Sequence, residues 1–141
     1  MDKRKIDKAI SRLASGFCDL HWSHYQMLVD GETETIQRWL GEADEEEMVC
    51  AFSGREYREP FHRQEYYFLN FAYSGDYDAV SQRSGNTIVV HENECYISQP
   101  FSGYAIRACG ERERTIVGVL IRKETFHKSF LPLLTGDETL L

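Results

Sequence analysis

Two histidines and two glutamates are the side chains whose types and spacing could do chemistry. His21 and His24 have the spacing of two metal ligands on one helical turn, but aromatic residues stand between and beside them, which favours packing. Glu65 and Glu94 could act as an acid and a base, because carboxyls in different environments can divide those roles. Each glutamate, however, begins a predicted strand and is expected to face water. The sequence therefore predicts neither a metal pair nor a catalytic residue here.

The four cysteines form no recognisable metal or redox motif. Cys18, Cys50, Cys95 and Cys109 are far apart and include no C-x-x-C pair, which argues against a zinc knuckle or a thioredoxin-like site. We expect reduced thiols that serve mostly as small buried side chains. The sequence also lacks the G-x-G-x-x-G, Walker and G-x-S-x-G strings, so it offers no nucleotide-binding or esterase-type motif.

Length and charge narrow the class of protein. The chain has 141 residues, of which 42% are hydrophobic, and this predicts one globular domain. No apolar run approaches the ~20 residues of a membrane span, and the start is unlike a signal peptide, so we expect a cytoplasmic protein without membrane contact. The 23 acidic residues outnumber 16 basic ones, for a net charge of −7. Since DNA binding depends on basic side chains that neutralise phosphates, we expect this chain alone to bind DNA poorly.

Two helices are predicted in the first third of the chain. Apolar residues recur at intervals of three or four between Ile6 and Phe17, with Gly16 where the pattern stops, which predicts an amphipathic helix. A shorter apolar pattern at residues 36–40 predicts a second helix, with its cap at Asp30 or Thr33.

Short runs rich in aromatic and β-branched residues, each closed by turn-forming residues, follow in the second half. No long helical pattern separates them, which argues for an antiparallel sandwich or barrel rather than a βαβ fold. The predicted strands are residues 65–73, 77–81, 87–91, 94–99, 104–109 and 115–121.

A C-terminal helix is predicted after the last strand. Its apolar stripe consists of Phe126, Phe130, Leu133 and Leu134, and Pro132 marks where the regular turn should distort or end. A helix on a barrel surface has a second face available, so this stripe is the predicted dimerisation element of a homodimer. The alternative is that the stripe packs on its own barrel.

Three regions of one compact domain follow from these patterns. We predict a helical N-terminal preface at residues 1–47, which ends in the acidic run at residues 42–47. A β-barrel follows at residues 48–122, and the C-terminal helix occupies residues 123–141. Because the last residues are apolar and look like the start of another element, we expect the chain to be a piece of a longer protein.

Several segments resemble the sensor domains of AraC-type transcription regulators. Residues 60–68, Pro-Phe-His-Arg-Gln-Glu-Tyr-Tyr-Phe, and the aromatic strand that ends in Ser74-Gly75 are similar to the opening of those domains. Residues 92–100 resemble the acidic turn, strand and proline-terminated loop of the family, and residues 122–134 resemble the helix after its barrel. The resemblance implies a mainly β fold, an antiparallel double-stranded β-helix (cupin or jelly-roll barrel) with N-terminal helices and a C-terminal helix.

The family resemblance also carries functional implications. It implies that an unidentified small-molecule effector binds inside the barrel and that the protein is a homodimer. It further implies that DNA is bound only through a helix-turn-helix domain that this sequence lacks.

Metal-binding cupins hold their ion with two histidines and a carboxylate from one segment and a third histidine from a later strand. Here His62 stands at the first of these positions, but Gln64, Phe68 and Tyr104 stand at or near the other three. An amide, a phenyl ring and a protonated phenol do not replace the nitrogen and oxygen donors that iron, manganese or zinc prefer. We therefore predict no metal, no cofactor and no enzymatic activity.

Candidate ligand contacts lie on the predicted strands and the loop between two of them. Asn70, an amide among apolar neighbours, must find hydrogen-bond partners in a ligand or in the sheet itself. Arg107 could bind an anion or pair with a glutamate. The complete predicted ligand-binding set is His62, Gln64, Tyr67, Asn70, Gln99, Tyr104 and Arg107.

A second function class remains open at this point. The chain could be a free-standing cupin-like protein, either a degenerate metal-dependent enzyme or a small-molecule carrier. The sequence that follows in the gene and the metal content of the purified protein would separate the two classes.

Overall fold

A computed structural model of the chain describes residues 2–108, 110 and 112–134. The first predicted helix is confirmed as α1, Lys3–Ser15. Its N-terminus is capped by Asp2, whose carboxylate accepts a hydrogen bond from the N–H of Arg4 at 2.9 Å. Gly16 ends the helix, and a short 3₁₀ turn, Phe17–Asp19, follows. Helix α1 packs against strand β3, Glu47–Gly54.

The second predicted helix is wrong, because this region is a β-hairpin. Strand β1, His24–Val29, pairs antiparallel with β2, Glu32–Gln37. Asp30 and Gly31 form the turn with φ of 52° and 85°, and Asp-Gly is among the sequences that favour two-residue hairpin turns with positive φ. Exposed and less exposed residues alternate along β1, which is the period of a strand rather than of a helix.

All six predicted strands are confirmed, and further strands precede them in the chain. The first of the six begins at Tyr67 and not at residue 65 as predicted. The strands after β3 are β4 Tyr57–Arg58, β5 Arg63–Gln64, β6 Tyr67–Ser74, β7 Tyr77–Ser81, β8 Thr87–Val90, β9 Cys95–Ser98, β10 Tyr104–Ala108 and β11 Arg114–Ile121. Cys109, at the predicted end of β10, and residues 135–141 lie outside the described part of the chain.

Two four-stranded sheets form the body of the molecule. One has the strand order β3-β11-β6-β9 and the other β4-β10-β7-β8, and the pairs within them are antiparallel. A third, small sheet joins the hairpin to β5 through a parallel pairing. The hydrogen bonds between described strands do not close the two main sheets into a barrel. The double-stranded β-helix expected from the sequence is therefore present as a sandwich.

The core lies between the two main sheets. One cluster of buried side chains takes Ala72 and Ile116 from one sheet and Tyr77, Tyr104 and Ile106 from the other. Such contacts show that the inner faces of the sheets pack on each other. The division predicted at residue 47 falls where β3 begins, and as a domain boundary it stays a prediction.

The C-terminal segment is helical but irregular. It consists of α2, Lys123–Thr125, a π-helical turn, Phe126–Phe130, and α3, Leu131–Leu134. The distortion comes just before Pro132, as predicted, since proline has no N–H and its ring crowds the preceding turn. No helix among the described residues is long and apolar enough to cross a membrane.

The predicted dimerisation stripe does not lie on one free face. Phe126 is only 5% exposed and stacks on Tyr67 with ring centroids 3.8 Å apart, so its side chain packs against the sheet of its own chain. Leu133 is 77% exposed. The side chains of Phe130 and Leu134 lie outside what the structure describes. The homodimer stays a prediction.

Candidate ligand cavity

A cavity of about 660 Å³ lies between the two main sheets. Its volume is within the range of small-molecule sites, which is about 300–1,000 Å³. Residues of β3, β6, β4 and β10 form its walls, and the segment between α1 and β1 covers part of it. The lining residues are Phe17, Trp22, His24, Gln37, Phe52, Ser53, Glu56, Tyr57, Arg58, Glu59, Pro60, His62, Phe68, Asn70, Tyr104 and Ile106.

One wall of the cavity is a continuous group of aromatic rings. The ring of Phe17 lies 6.0 Å from that of Trp22 and 5.3 Å from that of Phe52. Phe52 in turn meets Tyr57 edge to face at 5.6 Å. Offset and edge-to-face contacts of this kind stabilise aromatic clusters. The wall is therefore both apolar and well packed.

His62 and Tyr104 lie side by side, as two of the predicted site residues. Their backbones form an isolated antiparallel bridge, with N–H to O=C distances of 3.0 and 3.1 Å. Their ring centroids are 4.5 Å apart. Burial raises the pKa of Tyr104 well above its ordinary value, and nearby Glu59 adds to this rise, whereas hydrogen bonds with Asn70 and Ser98 oppose it. The phenol is thus protonated at neutral pH.

Glu59 orients the imidazole of His62. Its Oε1 lies 3.0 Å from Nε2 of His62 and also accepts the N–H of Ile106 at 2.6 Å. An ionised carboxylate can only accept hydrogen bonds, so the proton between them is on Nε2. In the neutral ring Nδ1 is then an acceptor. This atom is buried and has no hydrogen-bond partner among the described residues.

Asn70 lies in the middle of β6 and is fully buried. Its Nδ2 donates to the carbonyl oxygen of Phe68 at 3.4 Å, so the amide oxygen Oδ1 faces the other way. Within the described part of the chain Oδ1 accepts no hydrogen bond. A buried acceptor without a partner costs about 1–3 kcal/mol. The hydrogen bond to the backbone of its own strand therefore uses Nδ2 of Asn70 and leaves the amide oxygen without a partner among the described residues.

Gln64 is buried but does not line the cavity. Its Nε2 donates to Oγ of Ser98 at 3.0 Å, and its backbone carbonyl accepts the N–H of Phe101 at 2.7 Å. Its Oε1 has no partner among the residues described. Gln64 therefore ties β5 to β9 and to the loop before β10.

Three other predicted ligand contacts lie outside this cavity. Tyr67 faces the C-terminal helix, where its hydroxyl lies 2.9 Å from Nε2 of His127, and its neighbour Tyr66 is the residue buried in the core. Gln99 is exposed on its loop. Arg107 is exposed, and its guanidinium lies 5.0 Å from the ring centre of Phe61. The ion pairs of the described residues do not include one between Arg107 and a glutamate.

The aromatic wall and Glu59 are the contributions that sequence reasoning missed. Phe17 and Trp22 belong to the region interpreted as a separate preface, and no periodicity connects them with the strands. A signal did exist for Glu59, because it stands three residues before His62 in a loop that ends at a strand.

The positions that hold a metal in cupins were tested by their residue types and contacts. His62 directs Nε2 at Glu59, Gln64 bonds to Ser98, and the phenyl ring of Phe68 has no donor atom. Within the described residues no three histidine, cysteine, aspartate or glutamate side chains come together as a metal site. These residues do not fit a divalent cation.

Comparisons with known proteins identify the fold. No family model and no curated protein matches the sequence. Among solved structures, the cupin domain of Cnp3 from Schizosaccharomyces pombe is similar over 76% of this chain and 88% of its own, with a TM-score of 0.52 and 8% identity.

Two bacterial structures are similar to about the same degree. A cupin superfamily protein from Desulfitobacterium hafniense matches over 72% of this chain and 79% of its own, with a TM-score of 0.50 and 11% identity. The polyketide cyclase RemF from Streptomyces resistomycificus matches over 56% of each chain, with a TM-score of 0.50 and 14% identity. The chain therefore has the cupin fold, a double-stranded β-helix.

Proposed function

We propose that this cupin domain binds a small organic molecule and acts as the effector-binding and dimerisation domain of an AraC-type transcription regulator. The observation that carries the proposal is the cavity, which combines one aromatic wall with polar side chains, among them His62 and Glu59, which are held by hydrogen bonds. Sites with these features bind small molecules. The regulatory part rests on the resemblance of residues 60–100 and 122–134 to AraC-type sensor domains.

Binding can be followed through the two tryptophans of the chain. Trp22 lines the cavity, whereas Trp39 packs edge to face on Tyr66 away from it. Compounds that raise the melting temperature should be titrated into Trp39→Phe, where Trp22 is the only tryptophan, and into Trp22→Phe as the matched control. We expect a fluorescence change in the first variant alone. If no metabolite in a broad panel raises the melting temperature, the binding proposal fails.

The regulatory part needs a separate test. The gene should continue past Leu141 with about 100 residues that contain basic helix-turn-helix patterns. The full-length product should bind a promoter fragment, and its affinity should change with a compound that the cavity binds. A stop codon directly after Leu141 would overturn the regulatory assignment and leave a free-standing binding protein.

A free-standing enzyme is the second candidate, and the contact between His62 and Glu59 favours it. An imidazole oriented by a carboxylate at a cavity is the arrangement of a general base. Turnover of a compound that the cavity binds, abolished in His62→Ala, would favour a metal-free enzyme over the sensor. Stoichiometric iron, manganese or zinc in the purified protein, lost in the same variant, would favour a metal-dependent one. We expect substoichiometric metal that does not change with that substitution.

A further inference from the structure

Two side chains that line the cavity carry a buried polar atom that can accept a hydrogen bond. These atoms are Oδ1 of Asn70 and, in the neutral imidazole, Nδ1 of His62, and both lack a partner among the described residues. The donors of the same two side chains are already used, Nδ2 on the carbonyl of Phe68 and Nε2 on Glu59. A ligand group placed here must therefore donate a hydrogen bond.

The charge around the cavity disfavours an anion. Two carboxylates, Glu56 and Glu59, and one guanidinium, Arg58, line it. Glu56 and Arg58 are both exposed, so water screens their charges. Glu59 is half-buried, and its Oε1 lies 3.0 Å from Nε2 of His62. A carboxylate or phosphate group beside His62 would therefore meet the negative charge of Glu59.

The wall of the cavity determines the body of the ligand. The rings of Trp22, Phe17, Phe52 and Tyr57 follow one another at 5.3 to 6.0 Å. Such a wall suits a flat apolar molecule, which aromatic rings contact by stacking or by their edges.

We infer that the cavity binds an uncharged aromatic molecule whose hydroxyl group donates a hydrogen bond to Asn70 or His62. This inference rests on the proposed ligand-binding function and narrows it to one class of ligand, the phenols and other aromatic alcohols. The hydroxyl supplies the hydrogen that the two buried acceptors lack, and the rings contact the aromatic wall.

Three probes with the same two-ring body test the inference by calorimetry on the full chain. 2-Naphthol donates a hydrogen bond, 2-methoxynaphthalene does not, and 2-naphthoate is an anion at pH 7. We expect 2-naphthol to bind about tenfold more tightly than 2-methoxynaphthalene, because an unpaired buried acceptor is left with the latter. We expect 2-naphthoate to bind more weakly than both.

Variants then assign the acceptor. The preference for 2-naphthol should disappear in Asn70→Leu or in His62→Phe, whereas Asn86→Leu, an exposed change of the same kind, should retain it. The wild-type comparison stays decisive even where a buried variant does not fold.

The outcomes separate this inference from the proposed function. Equal affinity for 2-naphthol and 2-methoxynaphthalene, tighter binding of 2-naphthoate, or no binding of any probe overturns the ligand class. A metabolite of another class that binds and changes Trp22 fluorescence would still support the ligand-binding function.

Discussion

A methyl group at Gly118, in the middle of β11, would collide with core side chains. Gly118 pairs with Cys50 of β3 and Asn70 of β6 in the centre of the sheet. A Cβ on Gly118 would lie 2.5 Å from Cε1 of Phe68 and 3.0 Å from Sγ of Cys50. Real Cβ contacts are longer, so both side chains would have to move. Phe68 is 6% exposed and lies beside Tyr66, so a shift of its ring would disturb Tyr66 or move into the cavity that Phe68 lines.

Gly118→Ala should therefore destabilise the fold. Overpacking of a core costs about 1–3 kcal/mol, which corresponds to a fall of roughly 3–10 °C in melting temperature for a domain of this size. Urea denaturation followed by circular dichroism measures the free energy of unfolding directly. Because Phe68 lines the cavity, the same substitution should also weaken ligand binding.

Gly16→Ala is the matched control. A Cβ on Gly16 would meet only backbone oxygens, at 3.6 and 3.7 Å, and φ is −87°, which alanine adopts without strain. This change should be neutral or should stabilise the protein by about 0.4–1 kcal/mol, because alanine has fewer unfolded conformations to lose. If Gly118→Ala is as stable as Gly16→Ala, the packing described around β11 is wrong.

Three further predictions concern thiols, pH and association. Iodoacetamide at about pH 8 should alkylate exposed Cys18 at least about tenfold faster than buried Cys50, because burial raises the pKa of the Cys50 thiol to about 11 and only thiolates react readily; equal rates by peptide mass spectrometry would contradict this. The free energy of unfolding should fall as the pH rises above about 8. Burial raises the pKa of Cys50 to about 11 and that of Tyr57 to about 12, so the folded protein keeps protons that the unfolded chain releases. A flat profile between about pH 8 and pH 11 in urea denaturation would refute the reasoning. Leu133→Asp should weaken the predicted homodimer without lowering the free energy of unfolding, because Leu133 is exposed. Phe126→Ala should instead lower the free energy of unfolding by about 3–5 kcal/mol, because Phe126 is buried and stacks on Tyr67 of its own chain. Light scattering that finds the same oligomeric state for the wild type and Leu133→Asp would count against the dimer surface.

Local patterns determined most of the strands. Tyr77–Ser81 is bounded by Ser-Gly-Asp before it and by a turn after it, and the observed strand has the predicted limits. Turn residues and β-branched or aromatic runs act over a few residues, so the sequence alone carries this information. The same holds for α1, whose apolar spacing and terminal glycine are local.

The N-terminal hairpin shows where local patterns mislead. Ile36 and the apolar residues that follow it have helical spacing, but Ile36 is fully buried in β2 beside β5. Its neighbour in space, Arg63, is distant in sequence. A parallel pairing of this kind has no local signal, because its partners are joined only by the fold.

For the cavity, the sequence determined the residue types and the tertiary structure decided their roles. Asn70 and Tyr104 could be picked out as polar groups on apolar strands, and the loss of metal donors could be deduced from Gln64 and Phe68. Which face of each strand turns inward depended on register, since a shift of one residue exchanges the two faces, and this put Tyr66 rather than Tyr67 in the core. The aromatic wall also required the chain between α1 and β1 to fold back over the sheets, because contacts between distant segments exist only once the chain has packed.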